Sequence, residues 1–307
     1  MDFIIQKAGR KIKQSERNGA MKHVEGKIRK RSLNRKIKNV VITVLSFLVF
    51  LLFVYPLIYT LINSLKTYDD FTSAPQYALP GKVFFGNFVK VFQSDFIRYF
   101  LNSIVIAVLV VILTVVLSAM TAFAISKFRF RGKKITELYF LLGLMIPYQV
   151  ILIPLYLTYA KFKLLDTYFS LILPQVAFGM PMAIQLFLAF FKDFEEELIE
   201  AAVIDGSSIG RAFISVVAPI CRNIIITVAT LRAIFSWNEY IFSYTFISSK
   251  KMMTVVLGLN AFVGEEGLVD WGPTFAAIVV TVVPTLLVYM FLGKYMQSGL
   301  SEGAVKS

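Results

Sequence analysis

The chain has 307 residues, of which 57% are apolar and 17% charged, against about 45–50% and about 25% in an ordinary soluble domain. The apolar residues come in long blocks, which excludes an intrinsically disordered chain, a disulfide scaffold (Cys221 is the single cysteine) and a soluble nucleic-acid binder. The net charge of +13 sits mostly in one place: residues 1–38 carry 13 Lys/Arg against Asp2, Glu16 and Glu25, and a basic tail beside a membrane span is first a topology signal.

Residues 1–38 are expected to be a basic cytoplasmic tail. Three readings stand for them: contact with anionic lipid, topology signal alone, or contact with a partner. Both this stretch and the apolar block after it are too long for a cleaved signal peptide. His23 is alone in the tail, with no companion ligands.

Residues 39–307 are expected to hold an all-α integral membrane fold. A crossing helix needs about 20 mostly apolar residues. Six segments qualify: Val40–Ile62, Leu101–Ile125, Leu138–Tyr159, Ser170–Phe190, Asn223–Thr245 and Thr274–Met296. Lipid leaves backbone polar groups no partners, so the segments must be helices; they lack the alternation of a barrel. With the N-terminus inside, the inner segments hold 23 Lys/Arg, counting Lys294 at the inner end of the sixth, and the outer loops 8. Both termini are therefore expected in the cytoplasm.

The connections differ in character. Loops 63–100 and 246–273 are long enough for short surface or re-entrant helices. Residues 126–136 form a tight basic turn with Lys127, Arg129, Arg131, Lys133 and Lys134. Pro147, Pro154, Pro174, Pro181 and Pro284 fall inside spans, either as tolerated kinks or as breaks that line a pathway.

Residues 192–222 carry the most specific pattern. Asp193 and Glu195–Glu197 are expected to open a helix, where acid complements the dipole. Phe194, Leu198 and Ala202 repeat at i, i+4, i+8 and make an apolar stripe. Gly206 suits a left-handed end, Ser207 or Ser208 suits the next N-cap, and Pro219 is expected to close the second helix before the fifth span. Two readings stand. The loop is either a surface connection or an acidic-tipped, apolar-faced plug for a groove on a partner.

Glu200-Ala201-Ala202-Val203-Ile204-Asp205-Gly206, followed by Gly210, Phe213 and Pro219, resembles the EAA loop of binding-protein-dependent, type I ABC importer permeases. Ile146-Pro147, Ile153-Pro154-Leu155-Tyr156, Leu164–Tyr168, Ile172-Leu173-Pro174, Trp237-Asn238-Glu239-Tyr240, Asp270-Trp271-Gly272 and Gly303-Ala304-Val305-Lys306 resemble the carbohydrate-uptake, MalG-like branch. The resemblance covers roughly residues 40–307; the tail departs from it. It implies a type I ABC importer permease fold in a prokaryotic plasma or inner membrane, with no catalysis by this chain. It implies a second, non-identical permease, two ATPase subunits and an extracytoplasmic sugar-binding protein as partners. It implies that Glu200, Ala201, Ala202, Asp205, Gly206, Gly210 and Phe213 couple to the ATPase. ATP and magnesium would sit on those ATPase subunits, because this chain has no Gly-x-x-x-x-Gly-Lys-Ser/Thr loop.

In the fifth span Arg232 and Glu239 are seven residues apart, which on one continuous helix puts them on one face about 10 Å apart. A charge at a bilayer centre costs about 2.5–3.5 kcal/mol on insertion scales. Either the two charges sit near interfaces or against a partner subunit, or they face a polar translocation path with Trp237, Asn238 and Tyr240. By resemblance, the tip Asn260-Ala261-Phe262-Val263-Gly264 touches the binding protein. No metal-ligand spacing and no nucleophile–base pair is readable. A permease for a non-sugar solute such as glycerol phosphate remains the alternative, and after it an ion-coupled secondary carrier with Glu239 as its acid.

Overall fold

The computed structural model describes residues 36, 38–262 and 269–304, with side chains as far as residue 295. The basic tail, apart from Lys36 and Lys38, and the tip residues Val263 and Gly264 lie outside the described residues. The chain divides into two compact units, Met1–Tyr59 and Thr60–Ser307.

The first unit is described as most of helix α1 (Lys38–Ser64). Apart from half-buried Val54, its large apolar side chains from Val40 to Ile58 are exposed, as suits a helix bathed in hydrocarbon. Phe47 and Phe50 stack at 6.4 Å along its surface.

In the second unit the secondary structure is helical throughout apart from turns and one isolated bridge residue, Val269. The 63–100 loop contains two short helices, as its length allows: α2 (Tyr68–Ser73) and α3 (Gly86–Gln93). Thr67 and Asp70 form a reciprocal capping box at α2. Lys66 is fully buried there and donates to the Gln76 carbonyl at 2.7 Å. Burial holds its ammonium below the ordinary lysine value, against the opposing charge of Asp70. Within the second unit, Asn87 of α3 donates to the carbonyls of Ser64 (2.9 Å) and Lys66 (2.8 Å).

Helices α4 (Phe96–Lys127) and α7 (Tyr168–Lys192) are the central pair. Their side chains meet in two apolar clusters. One, toward their N-terminal ends, holds Ile106, Val110, Leu171, Ile172 and Val176. The other, toward their C-terminal ends, holds Ala122, Phe123, Ile184, Phe187 and Phe191. Between the two clusters the buried side chains of α4 are Thr114 and Ser118. Helix α7 runs unbroken through Pro174 and Pro181, so neither proline interrupts the fourth span.

The third and fifth spans differ from the single helices expected. Residues 138–159 are shared between α5 (Lys133–Gly143), a 3₁₀ turn (Tyr148–Ile151) and α6 (Leu152–Lys161), with an 87° bend. The break falls before Pro147, whose extended backbone and missing N–H stop the helix. The fifth span ends early: α11 (Arg222–Trp237) stops at Asn238, and a separate α12 (Ile241–Phe246) follows. Before α11, α8 (Glu197–Ile204), α9 (Ile209–Ala212), a π segment (Phe213–Val217) and α10 (Ala218–Ile220) lead in, and the stretch Ile209–Ile220 meets α11 at 81°. Pro219 lies in the last turn of the Ile209–Ile220 stretch, which closes just after it, before α11. The break is at Cys221. Residues 247–262 hold α13 (Val255–Gly258) between two 3₁₀ turns, and α14 (Trp271–Ala304) ends the chain. Among the described residues, four helices are thus long and apolar enough to cross a membrane (α1, α4, α7 and α14), and up to six crossings result if each bent pair is one.

Candidate functional site

The acidic turn is built from its own backbone. Helix α8 begins at Glu197, not at Asp193, because Asp193 and Phe194 continue the end of α7 through bonds to the Phe190 and Phe191 carbonyls. Phe194 is therefore not the first member of the α8 stripe; it is buried in the apolar cluster at the C-terminal ends of α4 and α7. Helix α8 ends at Gly206, whose φ of +89° is the left-handed value. Ser207 N–H reaches the Ala202 carbonyl (2.9 Å) and Gly206 N–H the Val203 carbonyl (3.0 Å). That pair of bonds is a Schellman cap. Ser208, rather than Ser207, caps α9 by accepting from Arg211 N–H at 3.3 Å.

What this turn presents is mixed. Glu200, Ala201, Asp205, Gly206 and Gly210 are exposed, while Ala202 and Phe213 are half-buried. Ile204 is 85% exposed at the tip, beside Val203 and Leu198. Phe213 packs back on Phe123 at 5.0 Å, so it is the foot of the turn. An acidic rim around exposed aliphatic side chains is a surface suited to a partner groove.

Two basic residues from the 126–136 turn fasten this region. Lys127 Nζ donates to the Phe194 carbonyl at 2.8 Å, and Ser126 Oγ to the Phe191 carbonyl at 3.2 Å. Lys133 Nζ holds the Ser126 carbonyl at 2.9 Å. Sequence reasoning saw these lysines only as topology signals; nothing in their spacing points to a backbone carbonyl 67 residues away.

The residues around the end of α11 separate. Because α11 stops at Trp237, Arg232 and Glu239 do not share a helix face, and the two-turn distance does not apply. Arg232 Nη2 donates to the Gln175 carbonyl on α7 at 2.9 Å, and the guanidinium stands 5.8 Å from the Phe235 ring. Among the described residues no carboxylate pairs with it. The Glu239 carboxylate accepts from the N–H groups of Phe242 and Ser243 and from Ser243 Oγ. It satisfies the open N-terminus of α12, which explains why an acid stands there. Trp237 is buried, packs edge-on against Phe100 at 5.1 Å and donates to the Thr281 carbonyl at 3.0 Å. Asn238 and Tyr240 are the exposed members. Asn238 bonds back to the Ile234 carbonyl at 2.8 Å, and the Tyr240 hydroxyl accepts from Asn260 at 3.2 Å. A cavity of ≈ 140 Å³ lies beside Trp237, lined by Ile104, Val108, Ile234, Pro284 and Val288 among others. Its wall is almost wholly apolar, with Thr285 its one hydroxyl side chain.

The tip region is anchored from below. Asn102 on α4 donates to the carbonyls of Lys251 and Met253, both at 2.9 Å, and accepts from the Tyr168 hydroxyl at 2.8 Å. Ser103 Oγ accepts from Val255 N–H at 2.8 Å. Asp166 accepts from Ser248 N–H (3.2 Å) and Ser249 N–H (3.0 Å). Burial pushes its carboxyl up, but the hydrogen bonds from Ser249 and Ser248 outweigh this and hold it below the usual carboxylate range. Asn260 and Ala261 are exposed at the top, and Phe262 packs on Phe96 at 5.9 Å. These anchors escaped the sequence reading because single polar residues in apolar runs show no period. Among the described residues no His/Cys/Asp/Glu group could hold a metal ion.

A multi-pass helical chain with an acidic, Schellman-capped turn between two crossings defines a membrane transport component. Residues 114–301 match the family described as "Binding-protein-dependent transport system inner membrane component", and the chain belongs to that family. The probable ABC transporter permease protein YurM of Bacillus subtilis is 33% identical over 261 residues, 85% of this chain and 86% of its own length. The trehalose/maltose transport system permease protein MalG of Thermococcus litoralis is 30% identical over 274 residues, 88% and 98% of the two chains. A solved bacterial ABC transporter involved in the import of the acidic polysaccharide alginate has a TM-score of 0.74 at 22% identity, covering 85% of this chain and 96% of that one.

Proposed function

We propose that this chain is the permease subunit of an ATP-driven, binding-protein-dependent importer of a sugar or oligosaccharide. The observation that carries the reading is the compact acidic turn of α8, capped at Gly206 and tipped by exposed Ile204. Its Glu200-to-Gly206 run is the family's coupling pattern. Membership in a transport family and relatives named for trehalose and maltose support the solute class.

In this reading six crossings, two of them bent, place both termini in the cytoplasm. Helix α8 docks in an ATPase through Glu200, Ala201, Ala202 and Asp205, with Gly206, Gly210 and Phe213 shaping the turn. ATP and magnesium act on two such ATPase subunits, and this chain performs no catalysis. A second, non-identical permease completes the path, to which Arg232, Trp237, Asn238, Glu239 and Tyr240 contribute. That the cavity beside Trp237 is almost wholly apolar fits a path incomplete in one chain. The binding protein docks on the 260–264 tip and releases its sugar as the spans rock between inward-open and outward-open.

The test is affinity purification of the chain from its native membrane in mild detergent, with intact-complex mass. One second permease and two ATPases are expected. A monomer or homodimer without ATPase would overturn the proposal and make Glu239 the residue to examine for ion coupling.

A further inference from the structure

Helix α7 ends at Lys192 and α8 begins at Glu197. Between them, two backbone bonds of 3.3 and 3.4 Å hold Asp193 and Phe194 to the preceding turn. Residues 193–196 thus interrupt the helical backbone between α7 and α8. Lys127 spans this joint. It is the last residue of α4, and its side chain is only 8% exposed. Its Nζ donates to the Phe194 carbonyl at 2.8 Å, stands 5.8 Å from the Phe194 ring centroid, and lies 3.4 Å from Glu196 Oε1. Glu196 is 65% exposed, so water screens that ion pair. The shielded, charge-assisted bond to the carbonyl is the stronger contact. Burying an ammonium is costly. A lysine needed only for topology would stay in water, as Arg129, Arg131 and Lys134 do in the same turn.

We propose that Lys127 is a positioning residue that locks the 193–196 joint, so that a displacement of α8 is delivered to the α4–α7 pair instead of being absorbed between α7 and α8. Phe194 is the other half of the lock: its ring is held in the cluster with Phe123, Phe187 and Phe191, and its carbonyl is held by Lys127. Ser126, bonded to the Phe191 carbonyl at 3.2 Å, runs a parallel tie one turn back. The inference rests on the reading of α8 as the ATPase-docking helix.

The experiment uses the complete complex in nanodiscs, with a reporter cysteine at exposed Lys250 (K250C) in an otherwise native chain whose Cys221 is buried. Labelling by a membrane-impermeant maleimide is measured with and without ATP plus vanadate, alongside ATP hydrolysis and ATPase retention. Lys127→Met should keep the ATPase bound and hydrolysis within about twofold. It should shrink the ATP-dependent change in labelling about tenfold, the factor for losing one hydrogen bond of a charged group. Lys127→Arg, which donates to the same carbonyl, should restore it. An undiminished change in Lys127→Met overturns the proposal. So does loss of the ATPase from that variant, which would make Lys127 an assembly residue. A complex with native Lys127 that lacks the ATPase, or shows no ATP-dependent change, overturns the docking reading itself and the inference with it.

Discussion

The guanidinium of Arg232 occupies the space that a side chain at position 179 would need: a Cβ added to Gly179 would stand 2.6 Å from Cζ and 2.6 Å from Nε. The same guanidinium bonds the Gln175 carbonyl one turn earlier on α7. The α7–α11 contact is thus a charged side chain laid over a glycine, with no carboxylate to neutralise it among the described residues.

Gly179→Ala should therefore push Arg232 off the Gln175 carbonyl. The expected cost is about 1–3 kcal/mol, typical of overpacking, read as a lower thermal midpoint of the detergent-solubilised protein. The loss should largely vanish in an Arg232→Ala background, because the two residues share one space. Equal losses in both backgrounds would rule the contact out.

Gly206→Pro should destroy the end of α8. Proline fixes φ near −65°, whereas the Schellman cap requires +89°, and it removes the N–H that bonds Val203. ATPase co-purification and sugar-stimulated hydrolysis should both fall. If α8 docks as proposed, Glu200→Lys should weaken ATPase co-purification strongly, while its effect on the chain alone stays at about 0.3–1 kcal/mol, the cost of a cation in the first turn of a helix.

The Asn102 amide satisfies two backbone carbonyls of the 247–258 segment and one tyrosine hydroxyl. Asn102→Leu keeps the branched shape, at a larger volume, and removes all three bonds. A cost of about 1–3 kcal/mol is expected for the buried groups left unpaired. The check is hydrogen exchange, which should rise across residues 251–255 and stay unchanged in α8.

Asp166 gives that segment a pH dependence of known sign. Its folded carboxyl lies below the ordinary 3.8, as its hydrogen bonds outweigh burial. The stability it contributes is complete above the unfolded value and is lost as pH falls through the lower, folded value. Protection of the Ser248 and Ser249 amides, relative to their intrinsic exchange rates, should thus stay full at neutral pH and fall only below the ordinary carboxylate range. Asp166→Asn should show the lower protection already at pH 7.

Composition and block length alone established a multi-span helical membrane protein. The 192–222 residues established an acidic helix, a glycine turn and a second helix, because caps and left-handed ends are local chemistry. What the tertiary structure decided is where helices break and what buried polar groups touch. The third span bends 87° before Pro147, where the sequence left a tolerated kink and a break both open, and the fifth ends at Trp237, where hydropathy alone gives no boundary. Hydrophobicity reports that a segment is out of water but not whether its backbone is continuous. Glu239 looked like a membrane-embedded charge and is the cap of α12; Lys127 looked like a topology signal and grips the Phe194 carbonyl. The Glu239 partners lie three and four residues on, so its role is local and shows only once the helix is seen to end at Trp237; the Lys127 partner lies 67 residues away, and no spacing along the chain encodes a contact that packing alone makes.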